Sequence, residues 1–278
     1  MIYFTCDIDC EKLYLPGHKE GFGSAFQMIL GAYAISKYCG GQYFFIPMKN
    51  VGHFEYFDYT QEEWDKRFSD YCHNFLLPNV SYDINFDTTI HIQNYTLEDC
   101  KSLYDSHISQ DENILIYLDW KPIKDICDKN IHIIDNIKDL LIEYYHSKSV
   151  LPNSKVLSIH VRIFSKTDCD PSPWRNYYDK NVPSRVVNTA INLYSKHNIE
   201  EVHVHSQGEE SDFDQFNILN NVKFFLDKDP IETIHDMIIS DTLIMSKSSF
   251  SYIASIYRKN TYVLDYFQHT LTKDTFVI

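Results

Sequence analysis

Short apolar runs alternate along this chain with longer stretches whose apolar residues return every three or four positions, the first pattern marking strands and the second helices. In the N-terminal part the pattern predicts a strand over 2–6, a turn at 21–23 and a helix over 24–39. Phe26, Ile29, Leu30, Tyr33, Ile35 and Tyr38 carry that helix, and a strand over 42–46 follows. Polar-faced helices are expected over 61–75 and 97–108, a strand over 113–118 and a helix over 137–147 bearing Leu140, Leu141 and Tyr144. Pro152 biases the residue before it away from helix, and no periodic pattern crosses 150–154. The sequence therefore divides into domains 1–150 and 151–278. In the second domain, strands over 156–161, 201–205, 222–226, 242–245 and 261–264 alternate with helical stretches that begin near Pro183, Ser211, Ile231 and Ser249. A repeated β-α unit of this kind builds a mostly parallel, Rossmann-like sheet, and the class is α/β. No sequence repeat or low-complexity segment is present.

Composition narrows the function. With 278 residues, 44% hydrophobic and 15% aromatic, the chain can bury one large core or two modest ones, and two lobes are expected. Its 25 basic against 39 acidic residues give a formal charge of -14, which argues against nucleic acid or an anionic membrane as partner. An anionic ligand would have to be met by locally concentrated positive charge, so the few arginines become informative. Seven cysteines, an odd number at irregular spacing, do not form a disulfide framework, and Cys6 and Cys10 lack the second close pair of a zinc site. No leader and no apolar run of roughly 20 residues is visible, so no membrane span is expected and the location implied is cytoplasmic, in a bacterium or in the host of a virus.

The strongest chemical signal is the stretch from Lys155 to Asp168, an apolar strand running into His160 and Arg162 at the start of a loop. In open α/β sheets the carboxyl ends of strands face the ligand crevice, so Arg162 can turn its planar fork of donors onto an anion such as phosphate. From Asp241 to Arg258 a strand leads into Lys247-Ser248-Ser249-Phe250-Ser251 and an apolar helix, which places hydroxyls and backbone N–H groups at a helix N-terminus. Those serines can equally be caps. Near the N-terminus Gly21-Phe22-Gly23, preceded by Glu20, leads into the first long helix. Asp7-Ile8-Asp9 and Asp168-Cys169-Asp170 match a pattern that binds Mn²⁺ or Mg²⁺ through substrate phosphates, a three-residue pattern that an acidic chain also produces by chance. His203-Val204-His205 sets two imidazoles on one face of a strand. With no third ligand in view, they are expected to line the crevice or to be core histidines. The aromatic stretch 43–59 suits either an acceptor sugar or the core.

Taken together these segments resemble the superfamily of α1,2- and α1,6-fucosyltransferases and protein O-fucosyltransferases. His160-Val161-Arg162-Ile163 is similar to its first motif, H-x-R-R or H-x-R-I followed by an acidic residue, with Asp168 as a displaced acidic partner. Asp241 to Ser251 is similar to the D-x-x-x-M-S-x-(x)-S-S-F-S segment, and Glu20 to Gln27 to the glycine-rich loop, with Ser24 where asparagine is common. The resemblance implies a GT-B-like fold, two Rossmann-like halves with a nucleotide-sugar cleft between them. It implies an inverting, metal-independent transferase that moves L-fucose from GDP-fucose to a glycan or other hydroxyl acceptor, with no cofactor beyond the GDP-sugar itself. Arg162 would neutralise the leaving diphosphate, and Ser248, Ser249 and Phe250 would add hydroxyl and N–H donors. His160 would lie against the nucleotide, Gly21, Phe22 and Gly23 would approach the pyrophosphate, and Glu20 would serve as base. A transferase of another GDP-sugar and a non-catalytic nucleotide-sugar or glycan-binding protein stay open, the latter because a second arginine and the loop asparagine are missing. A hydrolase would need a covalent nucleophile or a carboxylate-rich metal site, and neither is visible.

Overall fold

The structure is a computed structural model that describes residues 1–11, 21–53, 57–162, 182, 184–263 and 269–278. Glu20, Asp168 and Asp170 lie outside the described residues. By contact the chain forms two compact units, Met1–Lys148 and Ser149–Ile278.

In the first unit β1 (Ile2–Thr5) is buried at all four positions, which is why it reads as a continuous apolar run and lies in the middle of a sheet. Its neighbours are β2 (Gln42–Phe44), β3 (Val80–Ser81), β4 (Thr88–Ile92) and β5 (Ile114–Leu118). All pair in parallel in the order β3-β2-β1-β5-β4. The helices are α1 (Phe22–Cys39), α2 (Gln61–Tyr71), α3 (Leu97–His107), α4 (Lys121–Lys129) and α5 (His132–Lys148), with one π-helical stretch, Cys72–Leu76, directly after α2. Thr60 and Thr96 open α2 and α3 as reciprocal capping boxes with Glu63 and Asp99, so these two polar-faced helices start where orphan N–H groups find side-chain oxygens. Helix α1 is buried along most of its length and packs on β1, β2, α3, α4 and α5. Gly40, at φ 96°, ends it in the left-handed region, its N–H reaching back to the carbonyls of Lys37 and Ser36.

Several features depart from the sequence pattern, among them an earlier start of α5, at His132, a 3₁₀ helix over Glu210–Ile218 where a helix was expected, and an unexpected strand at Thr275–Val277. Helix α1 begins at Phe22, so Phe22 and Gly23 belong to the helix and not to a turn. Helix α4 was not anticipated, because nine residues with apolar positions only at Ile123 and Ile126 on the buried side give too short a period to read. Strands β3 and β4 escaped for a related reason, since edge strands that are two residues long or largely exposed carry no apolar run.

The second unit has six parallel strands: β6 (Val156–His160), β7 (Glu201–Ser206), β8 (Val222–Leu226), β9 (Thr242–Met245), β10 (Thr261–Val263) and β11 (Thr275–Val277). Their order is β11-β10-β9-β6-β7-β8. Counted from β6 this is the doubly wound order 3-2-1-4-5-6, with its switch point between β6 and β9. Among the described residues, helices α6 (Ser184–His197), α7 (Pro230–Ile239) and α8 (Ser249–Ile256) and a 3₁₀ helix, Glu210–Ile218, pack with these strands. The two faces of the sheet differ. Leu157, Ile159, Val202 and Val204 pack with Val186, Ala190 and Leu193 of α6 and with Phe213 and Phe216 in an apolar core. The alternate positions Ser158, His160, His203 and His205 stand on the other face, where α7 packs.

Helix α7 is fixed at both ends. Asp229 caps its start by accepting from the N–H groups of Ile231 and Glu232. At its end the buried Arg258 guanidinium donates to the Met237 carbonyl and the Ser240 hydroxyl. Arg258→Ala should cost about 3 kcal/mol of stability, because it leaves a buried carbonyl without its charged donor and opens a cavity. Urea unfolding should show the loss as a lower midpoint at unchanged slope.

Candidate functional site

The carboxyl ends of β6 and β9 bring His160 and the helix start at Ser246 to Phe250 together. His160 is the last residue of β6 and pairs in register with His205 of β7. Across the switch point its Nδ1 lies 2.8 Å from the hydroxyl of Ser246, the residue that follows β9, and its ring sits 5.7 Å from that of Phe250. The imidazole is buried. Burial first, then the charges of Arg162 and His205, push its pKa from 6.5 down to about 3, so His160 is neutral at physiological pH. A neutral ring can accept from Ser246 or donate to it and still present its other nitrogen.

After β6 the chain stays tied to β7. The Val161 N–H donates to the His205 carbonyl at 2.9 Å, and the Ser206 hydroxyl donates to the Val161 carbonyl at 2.7 Å. Arg162 therefore leaves the sheet from a fixed point. It is half-buried, with Nη1 3.5 Å from the Gln207 side-chain oxygen, a contact at the outer limit of a hydrogen bond.

Ser248 is the N-cap of α8, its hydroxyl accepting from the Phe250 N–H at 3.3 Å. The Phe250 N–H is thus already engaged by the cap, an arrangement that the expectation of Phe250 as a free donor did not include. The Ser251 hydroxyl turns back to the carbonyls of Ser246 and Ser248, both at 3.3 Å, and holds the turn closed. Residues 246–250 are all half-buried, and the helix directs the positive end of its dipole at the same strand ends. Asp241, first residue of the matched segment, lies at the opposite edge of the sheet, where its carboxylate accepts from the Val156 N–H at 2.9 Å. Its role is to register β9 against β6.

The remaining candidates fall elsewhere. Gly21 is the N-cap of α1 and Phe22 and Gly23 are its first residues, all in the first unit. The Phe22 ring is 3% exposed and stacks on Phe68 at 4.3 Å, so its side chain serves the core and only its backbone faces the helix start. Asp9 is occupied by the side-chain amide of Asn50 at 2.8 Å. In the aromatic stretch Tyr43 and Phe45 are buried, Phe57 stacks on Trp64 at 5.0 Å, and Tyr59 is partly exposed under the Arg67 guanidinium.

One constellation completes the histidine pair with a carboxylate that the sequence pattern does not indicate. His203 and His205 of β7 both meet the carboxylate of Asp236 on α7, with His203 Nδ1 and His205 Nε2 each 2.7 Å from Oδ2. Glu201 takes the other ring nitrogen of His203 at 3.2 Å and is itself paired with Lys223. Burial pulls the His203 pKa down, but the hydrogen bonds and charges of Asp236 and then Glu201 outweigh it and hold it above the ordinary value. Burial likewise raises Asp236, and the two imidazoles more than reverse this, leaving its carboxyl well below the usual range. Only the i, i+2 spacing of the histidines was visible beforehand, because Asp236 lies 33 residues beyond His203.

His160 also makes a prediction about acid stability. Between pH 6.5 and about 3 the unfolded chain holds a proton on this histidine that the folded chain does not, so stability must fall as pH falls through that window. His203 works in the opposite sense, since its raised pKa adds stability below its unfolded value and loses it as pH rises. The expected result is that the fall in unfolding free energy towards acid is shallower in His160→Asn than in the parent, measured by chemical denaturation across that range.

No family model matches the sequence, and no curated protein matches it. Solved structures do. POFUT1 in complex with GDP-fucose aligns over 99% of this chain and 97% of its own at 10% identity, with a TM-score of 0.50. A crystal structure of POFUT1 with GDP aligns over 99% and 97% at 12% identity and a TM-score of 0.48. The E. coli heptosyltransferase WaaC with ADP covers 100% of this chain and 92% of its own at 9% identity and a TM-score of 0.46. At such identities the likeness is one of fold, and the fold, two parallel α/β sheets, is that of GT-B-type glycosyltransferases. Among the described residues no helix is long and apolar enough to cross a membrane.

Proposed function

We propose that the protein is an inverting glycosyltransferase that transfers L-fucose from GDP-fucose to a hydroxyl of a glycan or other acceptor. One observation carries this: His160 meets the Ser246 to Phe250 helix start at the switch point of a doubly wound sheet, where such sheets bind nucleotides, and Arg162 leaves the end of the same strand two residues after His160. Each segment also matches a fucosyltransferase motif, and the neighbour at a TM-score of 0.50 was crystallised with GDP-fucose.

The reaction breaks the bond between the anomeric carbon and the β-phosphate while the acceptor oxygen attacks from the opposite face. Negative charge develops on the leaving GDP, and preorganised donors lower the barrier by meeting it. In this proposal Arg162 supplies the full charge. The hydroxyls of Ser248 and Ser249 and the dipole of α8 supply the partial charges, and rotation of the Ser248 cap towards phosphate frees the Phe250 N–H. Neutral His160 keeps the Arg162 charge available, because an imidazolium beside it would repel the guanidinium. Gly21, Gly23 and the backbone of Phe22 approach the pyrophosphate, Asp168 assists Arg162, and Glu20 takes the acceptor proton.

The test is a donor panel by calorimetry and turnover. GDP and GDP-fucose are expected to bind, with UDP and ADP much weaker, and fucose transfer should proceed without added Mn²⁺ or Mg²⁺ because the arginine and helix take the neutralising role. Strict dependence on either ion would reject this grip. Binding of GDP-fucose without transfer to any acceptor in a broad panel would favour the non-catalytic alternative.

A further inference from the structure

We propose that His203, His205 and Asp236 form a binding site for one divalent transition-metal ion, of the Zn²⁺ or Co²⁺ class, that clamps helix α7 to strand β7. The site is independent of the transferase reading and departs from the expectation of a protein without metal.

Three ligand atoms, one from each residue, lie within 4.8 Å of one another. Two imidazoles and one carboxylate suit zinc or cobalt, whereas Ca²⁺ and Mg²⁺ take oxygen ligands. The β-strand spacing places both rings on one face, and α7 brings the carboxylate over them.

His205 supplies the second observation. It is 1% exposed, and neither of its ring nitrogens has a hydrogen-bond partner among the described residues. Its Nε2 is close to Asp236 Oδ2, at 2.7 Å, yet lacks the alignment of a hydrogen bond. Buried ring nitrogens are normally satisfied, and an ion bound at about 2.0–2.1 Å to both this nitrogen and the carboxylate, which move apart to admit it, would satisfy this one.

Around His203 the surroundings are those of a metal ligand's outer shell. Glu201 accepts from His203 Nε2, which turns Nδ1 towards Asp236, and the Lys223 ammonium anchors Glu201 in turn. The Phe225 ring stacks on His205 at 5.2 Å and tilts against His203 at 4.8 Å, closing the site with an apolar wall. On entry the ion forms bonds to His203 Nδ1, His205 Nε2 and Asp236. The proton that His203 shares with Asp236 leaves to solvent, and water completes the coordination. No electron moves.

The experiment is titration of chelator-treated full-length protein with Co²⁺ at near-neutral pH, followed by Zn²⁺. Expected are a visible ligand-field band that saturates at one equivalent, its loss when Zn²⁺ displaces Co²⁺, and a Zn²⁺-dependent rise in melting temperature. His205→Gln and Asp236→Asn should abolish the band. Glu201→Gln, on the partly exposed first residue of β7, should keep the fold and weaken Zn²⁺ binding about 10- to 100-fold. Absence of the band in the parent protein would overturn the proposal and leave a proton-bridged histidine–carboxylate cluster. An unchanged band in folded Glu201→Gln and His205→Gln proteins would overturn it too, by placing the ion at other side chains.

Discussion

Arg162→Ala is expected to reduce kcat/KM for GDP-fucose by roughly 30-fold to several thousand-fold, the equivalent of about 2 to 5 kcal/mol for a lost charge-assisted contact to phosphate. The fold should survive. Arg162 lies two residues past the end of β6 and its side chain is half-buried, so no fully buried core position is emptied with it. Arg162→Lys should recover only part of the loss, since a point charge cannot reproduce a planar two-point grip. Near-normal turnover in the alanine variant, with circular dichroism unchanged, would remove Arg162 from the site.

Glu20→Gln is expected to lower kcat by roughly 100-fold or more, the usual size of a general-base contribution. GDP affinity should stay nearly constant, because glutamine keeps the shape of the side chain and loses only its capacity to accept the acceptor's proton. In the sequence Glu20 directly precedes Gly21, the N-cap of α1. Single-turnover kinetics alongside GDP calorimetry separate the outcomes. Unchanged kcat means that departure of GDP, assisted by Arg162, carries the reaction without a base at this position. A fall in GDP affinity would instead assign Glu20 to the donor pocket or to the start of α1.

What the sequence alone determined is what depends on near neighbours. Strands such as β1 and β9 are nearly continuous apolar runs because both their faces are covered, so burial writes itself into consecutive residues. Long helices write a period of three to four, and the capping residues of α7 and α8 stand next to the elements they start. The segments of the proposed donor site were visible for the same reason, since His160 and Arg162 are two residues apart and Ser248 to Ser251 form one helix start. Strand order was a different matter. Nothing local to β6 and β9 states that they are neighbours, yet that adjacency creates the switch point and brings Ser246 to His160 across 86 positions. Nothing beside Phe22 in the sequence shows that its ring packs against Phe68 and Tyr71 of α2. His203 and His205 could be seen as a pair, but their shared carboxylate comes from a helix whose face is chosen by packing. Side chains that meet through the docking of separate elements leave no periodic trace in the chain, because their proximity is fixed by burial of the whole sheet and not by any residue beside them.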